Sequence, residues 1–201
     1  ILILKKLKVD YLFLPNKNEI YSNGIPKQIK ILARDKILCA KYRKGHFEGV
    51  LAVVKRFMQN VDARYIYLGE KDYQQLYLIK KYLQNKFNTR IISCKTIRNK
   101  SKLPLSSRNM LLSKKSLKRS EQISKLLFKY KSKIIKNFNY IKNHNIYKKK
   151  IEKLCDEVEY FEIRNFKNLS KKINIKNFKL FIAYKQNTIR IKMYIPCKFI
   201  Y

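Results

Sequence analysis

The string Gly69-Glu70-Lys71-Asp72-Tyr73-Gln74-Gln75 puts a glycine, two carboxylates, an ammonium group and two amides side by side. It follows the β-rich run Ala63 to Leu68 and precedes apolar residues at helical spacing, Leu76, Ile79, Leu83 and Phe87. Open α/β sheets bind ligands at the carboxyl ends of their strands, and a glycine at such a turn lets backbone N–H groups approach closely. Lys71 could there neutralise charge developing on a transferred phosphoryl group. Further on, Leu105-Ser106-Ser107-Arg108-Asn109 sets two hydroxyls beside a guanidinium, whose planar fork takes phosphate oxygens in pairs. Both strings also have plainer readings. Glu70 and Asp72 would complement the dipole of the following helix, and Ser106 to Arg108 would form an ST turn with an exposed arginine. A third string, Arg43-Lys44-Gly45-His46-Phe47, offers Arg43 and His46 either to a cleft or to the cap of the next helix.

The elements that must carry these strings alternate. A short apolar run from Val9 to Pro15 reads as a buried parallel strand, and the stretch from Asn16 to Pro26 as turn-rich. Ile29 to Phe47 mixes a second strand with a loop, and Glu48 to Val61 has the apolar spacing of an amphipathic helix. Then come the strand Ala63 to Leu68, a helix over Tyr73 to Phe87 and a strand over Arg90 to Ile97. Strands alternating with helices predict βαβ units and a parallel sheet, with right-handed crossovers. After Leu103 the character changes. Lysine-rich helices are expected over Lys114 to Lys136 and Ile146 to Glu157, followed by strands over Val158 to Arg164, Phe178 to Lys185 and Thr188 to Ile195. The division predicted is 1–103 for an α/β nucleotide-binding part and 104–201 for a small α+β unit.

Composition bounds the rest. With 201 residues and 46% apolar content the chain can bury a sizeable core. No apolar run approaches the roughly 20 residues of a membrane helix, and Ile1 to Leu4 is too short for the apolar core of a signal peptide. No membrane partner and a cytoplasmic location are therefore expected. Cys39, Cys94, Cys155 and Cys197 lie too far apart for a Cys-x-x-Cys site, so reduced thiols and no protein-ligated metal are expected, the two histidines being His46 and His144. The net charge of +35 is a standard nucleic-acid signal. The lysines, however, are scattered and accompanied by many Asn, Ile and Tyr residues with A/T-rich codons, and the aromatics form no stacking signature. Nucleic acid is expected to bind by nonspecific electrostatics only. A basic nucleic-acid-binding protein stands as the rival from another class.

Taken with Lys8 to Gly24 and Arg43 to Val50, the two strings resemble the pantoate:beta-alanine ligases, a family of adenylate-forming nucleotidyltransferases. The match is colinear from about Lys8 to Ser113 and looser over Val158 to Leu169 and Leu180 to Ile191. The resemblance implies a Rossmann-like nucleotidyltransferase sheet followed by a C-terminal lid. Its implied activity is ATP-dependent ligation of pantoate and beta-alanine through a pantoyl adenylate, with magnesium on the triphosphate and a homodimer at full length. By resemblance, Gly69, Glu70, Lys71, Asp72, Ile97, Leu105, Ser106, Ser107 and Arg108 would hold ATP, with Lys71, Ser106, Ser107 and Arg108 catalytic. Gln75 would bind pantoate, which argues against another nucleotidyltransferase of the same fold.

Three departures shape the expectation. Lys44 stands where the family has proline, and Ile-Lys-Met-Tyr-Ile follows Arg190 where Ile-Asp-Asn is usual. The family's upstream His-x-Gly-His turn has no counterpart, since the earliest histidine is His46. The sheet is expected to be incomplete at its N-terminal side and the chain inactive alone, as the C-terminal part of a longer protein or a decaying relic.

Overall fold

The computed structural model describes residues 1–21, 24 and 29–196. The described helices and strands are α1 (Leu2–Lys6), α2 (Lys17–Ile20), α3 (Cys39–Tyr42), α4 (His46–Asn60), β1 (Tyr65–Gly69), α5 (Tyr73–Leu83), β2 (Arg90–Cys94), α6 (Lys114–Lys136), α7 (His144–Glu152), β3 (Glu157–Asn165), β4 (Phe178–Gln186) and β5 (Ile189–Pro196). Short 3-10 turns join several of them, at Ala33–Asp35, Glu70–Asp72, Gln84–Lys86, Ser107–Leu111 and Phe138–Asn143.

The first part is a β-α-β unit. Strands β1 and β2 pair in parallel, Tyr65 opposite Arg90 through Gly69 opposite Cys94, as α5 between them predicts. Helix α5 buries Leu76, Leu78, Ile79 and Leu83 against a core shared with Phe47, Leu51 and Met58 of α4. Gly45 opens α4 at φ 73°, a left-handed conformation that a β-carbon would strain. That requirement accounts for the glycine before His46.

The second part is a three-stranded antiparallel sheet in the order β3-β4-β5, covered by α6 and α7. Helix α6 presents Ile123, Leu127, Tyr130 and Ile134 at spacings of four, three and four residues, and all four are fully buried. Each buried aliphatic side chain of this kind contributes about 1.5–3 kcal/mol. Ser113 caps the helix by accepting the Ser116 N–H at 3.1 Å. The two parts share a seam. Phe181, Ala183 and Tyr194 of the antiparallel sheet belong to the core of the parallel unit, and Leu103 packs into the core of the second.

Two expectations fail. Residues 9–15 form no strand, and Tyr11, Leu12, Phe13 and Leu14 are exposed. An apolar run becomes a strand only where a neighbour completes its hydrogen-bond ladder, and among the described residues β1 pairs with β2 alone. The second strand expected within 29–47 is likewise absent. That stretch is a 3-10 turn and the short α3, pinned by side chains of α5. The remaining elements form with shifted ends: β2 stops at Cys94, α7 runs from His144 to Glu152, and Gln84–Lys86 continues α5 as a 3-10 turn. Cys39, Cys94 and Cys155 are free thiols. Cys197 lies outside the described residues, as do Ser22, Asn23 and residues 25–28 of the turn-rich stretch.

Candidate active site

Strand β1 delivers its last residue, Gly69, to the sheet's carboxyl edge, and the chain turns at once through Glu70–Asp72 into α5. Gly69 has an ordinary extended conformation, φ −70° and ψ 130°, so its backbone does not demand glycine. No atom lies within 4 Å of where a β-carbon would stand. Here the missing side chain leaves open space at the strand end.

Lys71 and Asp72 face a cleft whose other walls come from outside the turn. One part of it is lined by Lys71, Pro104, Ser106, Arg108, Arg190 and Lys192. The Ser-Ser-Arg string, distant in sequence, is thus brought to the Gly-Glu-Lys-Asp turn, with β5 behind both. Ser106 accepts the Arg108 N–H at 3.3 Å. This is the ST turn anticipated as the plainer reading, and it leaves the Ser107 and Arg108 side chains exposed at the mouth of the cleft. Ile97 and Leu105 are joined by a backbone hydrogen bond of 3.0 Å from the Leu105 N–H to the Ile97 carbonyl. Their side chains stand 68% and 54% exposed as an apolar shelf beside the serines.

The electrostatics are those of crowded cations around one carboxylate. Asp72 ion-pairs with Lys192, and Lys71 Nζ lies 4.0 Å from its other oxygen. Burial works against the charged Asp72, yet Lys192, Lys71 and Arg108 outweigh it and hold its carboxyl below the ordinary value. Burial, helped by Lys192 and Arg108 and opposed by Asp72, pulls the Lys71 ammonium down. Arg190 is paired with Glu159. Glu70 is committed elsewhere: its carboxylate accepts the Tyr194 hydroxyl at 2.6 Å, and the Tyr194 oxygen accepts from Thr96 at 3.1 Å. Beside it Lys179 lies over the rings of Tyr73 at 3.8 Å and Tyr194 at 4.7 Å.

Gln75 lines a second, inner pocket that meets the outer one at Lys71 and Lys192, together with Leu38, Cys39, Phe47, Tyr160 and Met193. Its neighbour Gln74, to which sequence reasoning assigned no role, is only 5% exposed. Its Nε2 donates to the Asp35 and Ile37 carbonyls at 3.2 and 2.7 Å. Two carbonyl partners fix the amide's orientation, and Oε1 is left buried without a protein partner along the cleft. Lys192 was also missed. A lysine amid the apolar residues of a strand pattern was the available signal.

His46 accepts from Arg43 Nη1 at 2.7 Å through Nε2, so the ring is neutral there. Burial, then Arg43, Lys192 and Arg190, lowers its pKa, with Asp72 opposing. His46 stands at the start of α4 after the Gly45 cap, makes no capping hydrogen bond with its side chain and lines neither part of the cleft, although the cleft's charges reach it. His144 is lowered too, chiefly by burial, while its Nε2 donates to the Phe161 carbonyl at 3.0 Å. A depressed histidine pKa means that the unfolded chain takes up protons first. This contribution to stability is complete above about pH 6.5 and declines as pH falls through the folded-state values. Melting temperatures recorded from about pH 7.5 to 5.5 should therefore drop, and the double variant His46→Gln/His144→Gln should flatten that slope. A slope unchanged in the variant would assign it to other groups.

Among the described residues no group of three or more His, Cys, Asp or Glu side chains is placed to hold a metal, and no helix is long and apolar enough to cross a membrane.

Fold and cleft together define a two-part α/β protein with a cation-rich cleft at the carboxyl end of a parallel strand pair, backed by an antiparallel sheet. The family model for pantoate-beta-alanine ligase matches residues 1–192, and the chain belongs to that family. It is 39% identical over 180 residues to the pantothenate synthetase of Buchnera aphidicola subsp. Acyrthosiphon pisum, covering 86% of this chain and 63% of that protein. With the pantothenate synthetase of Leptospira interrogans it shares 40% identity over 167 residues, 79% of this chain and 57% of the relative. The chain thus spans less than two thirds of the length of these curated relatives. A crystal structure of the Francisella tularensis pantoate-beta-alanine ligase complexed with beta-gamma ATP and beta-alanine superposes with a TM-score of 0.79 at 33% identity, over 96% of this chain and 67% of that one. Pantothenate synthetase of Thermus thermophilus shares the fold, with a TM-score of 0.87 at 22% identity, over 98% of this chain and 73% of that one.

Proposed function

We propose that this chain carries the triphosphate-handling part of a ligase that joins pantoate to beta-alanine at the expense of ATP. The observation that carries it is the convergence of Lys71, Ser106, Arg108 and Lys192 on one cleft, from three separated stretches of a chain of this family. The Francisella relative bound to beta-gamma ATP and beta-alanine supports the choice of ligands.

In the reaction, a pantoate carboxylate oxygen attacks the α-phosphorus of ATP and pyrophosphate leaves. The beta-alanine amine then attacks the acyl carbon, the bond to the AMP oxygen breaks, and the amine gives up a proton. Lys71 meets the charge developing at the α-phosphate, while Ser106, Ser107 and Arg108 grip the departing pyrophosphate. Gln75 orients pantoate in the inner cleft, and Gln74 Oε1 is a further acceptor beside it. The backbone turn at Gly69–Asp72 and the Ile97–Leu105 shelf hold the rest of the nucleotide. Positioning and electrostatics supply the acceleration, and these residues imply no covalent enzyme intermediate.

Asp72 offers one carboxylate beside the phosphate site, which suits a magnesium ion that arrives on the triphosphate and keeps much of its water. Such an ion would neutralise phosphate charge. A cytoplasmic setting and a homodimer of the longer protein complete the reading.

The test joins this chain to the upstream His-x-Gly-His segment that the resemblance implies and measures pyrophosphate release. Release that needs ATP and pantoate together is expected. Release with another acceptor would point to a different nucleotidyltransferase, and salt-steep RNA affinity without turnover to a nucleic-acid binder.

The exposed Arg108 at the junction of the two parts should close the 103–113 segment over ATP. In that longer chain, ATP should slow hydrogen exchange across this segment, and Arg108→Lys should weaken the effect because an ammonium cannot make the forked contact. Equal protection in both would leave closure to another residue.

A further inference from the structure

We propose that Lys192 is a phosphate-binding residue of the cleft, held in reserve by Asp72 and passed to the ligand's polyphosphate when it arrives. The inference rests on the reading of the cleft as a triphosphate site.

Strand β5 points alternate side chains at the Gly-Glu-Lys-Asp turn: Lys192 pairs with Asp72, and Tyr194 donates to Glu70. The second part of the molecule thereby clasps both carboxylates of the turn. The two contacts differ in what surrounds them. Tyr194 is buried and further tied to Thr96, while Arg98 donates to its backbone carbonyl at 2.6 Å. Nothing there is free to exchange. The Lys192 side chain, 15% exposed, lines both the outer cleft with Ser106 and Arg108 and the inner cleft with Gln75. Its charge lowers the pKa of Lys71 and His46, so it is electrostatically part of the site and adds to the crowding of cations there.

Asp72 is the sole carboxylate among the described residues lining either part of the cleft, set against Lys71, Arg108, Arg190 and Lys192. One carboxylate cannot neutralise this group, and Arg190 is the cation with a partner of its own, Glu159. A polyphosphate supplies the missing negative charge. A lysine is a flexible point charge whose ammonium can swing from a carboxylate oxygen to a phosphate oxygen within the same cleft. Without ligand, the Asp72 pair keeps Lys192 in place. With ligand, the exchange draws β5 towards the phosphates and so couples the antiparallel sheet to occupancy.

The experiment is calorimetric titration of the 201-residue chain with inorganic tripolyphosphate. Lys192→Met should weaken binding about tenfold, the worth of one charge-assisted contact. Lys149→Met, on the outer face of α7, should change it little and so reports the background attraction of a chain of net charge +35. Asp72→Asn should tighten binding by releasing Lys192 and by removing a repelling charge, and this gain should be clearly smaller in Asp72→Asn/Lys192→Met. That cycle keeps the proposal exposed should Lys192→Met alone disturb the seam. A loss with Lys71→Ala and Arg108→Ala but none with Lys192→Met, or a gain from Asp72→Asn that is equally large without Lys192, would overturn the assignment of Lys192 alone. Binding indifferent to all of these residues, or no binding above the background, would overturn the triphosphate site and this inference with it.

Discussion

Lys71→Ala, in the chain joined to its upstream segment, should lower the rate of pantoyl-adenylate formation about 10²–10³-fold and leave the fold intact. Lys71 sits on a rigid turn between β1 and α5, half-buried, where its ammonium is held by Asp72 against the repulsion of Lys192 and Arg108. Such a cation is already stripped of part of its water and already aimed. It therefore loses little on meeting negative charge that appears in the transition state, which is when its interaction counts most. The side chain belongs to neither hydrophobic core, so its removal should change the denaturation midpoint little. Replacement by arginine should restore charge without the geometry and recover only part of the rate. A single-turnover rate unchanged by Lys71→Ala would place this lysine among the solvated surface charges.

Asp35→Ala should cost about 1–3 kcal/mol of stability, the usual consequence of leaving hydrogen-bond donors without their buried acceptor. Asp35 is 4% exposed, and its carboxylate accepts from Lys81 Nζ at 2.7 and 2.8 Å and from the Tyr82 hydroxyl at 2.6 Å. Tyr82 in turn accepts the Leu32 N–H at 2.8 Å, while Gln74 holds the Asp35 and Ile37 carbonyls. Removing the carboxylate leaves an ammonium and a phenol without their acceptor and loosens the stretch before α3. That stretch includes Leu38 and leads into Cys39, both of which line the inner cleft. Loss of stability should therefore come with weaker substrate binding, and urea denaturation with a parallel binding assay would read both. A loss below about 1 kcal/mol would rank the pair with screened surface contacts.

The sequence by itself determined the local elements and the two strings that mark the cleft. Apolar spacing located α4, α5 and α6 because a helix must turn one stripe inward, and Ile123, Leu127, Tyr130 and Ile134 are that stripe for α6. Alternating elements likewise announced the parallel pair of β1 and β2. Residues 9–15 show where such local information ends. Their apolar pattern suits a strand, but a strand exists through its neighbour, and no described strand pairs with them. Asp35 and Gln74 were illegible for a related reason. Each looks like ordinary surface in a linear reading, and each is buried because a partner far along the chain satisfies it. Lys192 needed the tertiary structure most. Only the docking of β5 against the turn after β1 sets it on Asp72 and beside Arg108. Local sequence governs the short-range torsions and periodicities that make a helix or a turn. The meeting of Lys71, Arg108 and Lys192 depends on how two cores pack across their shared seam, a property no local stretch contains.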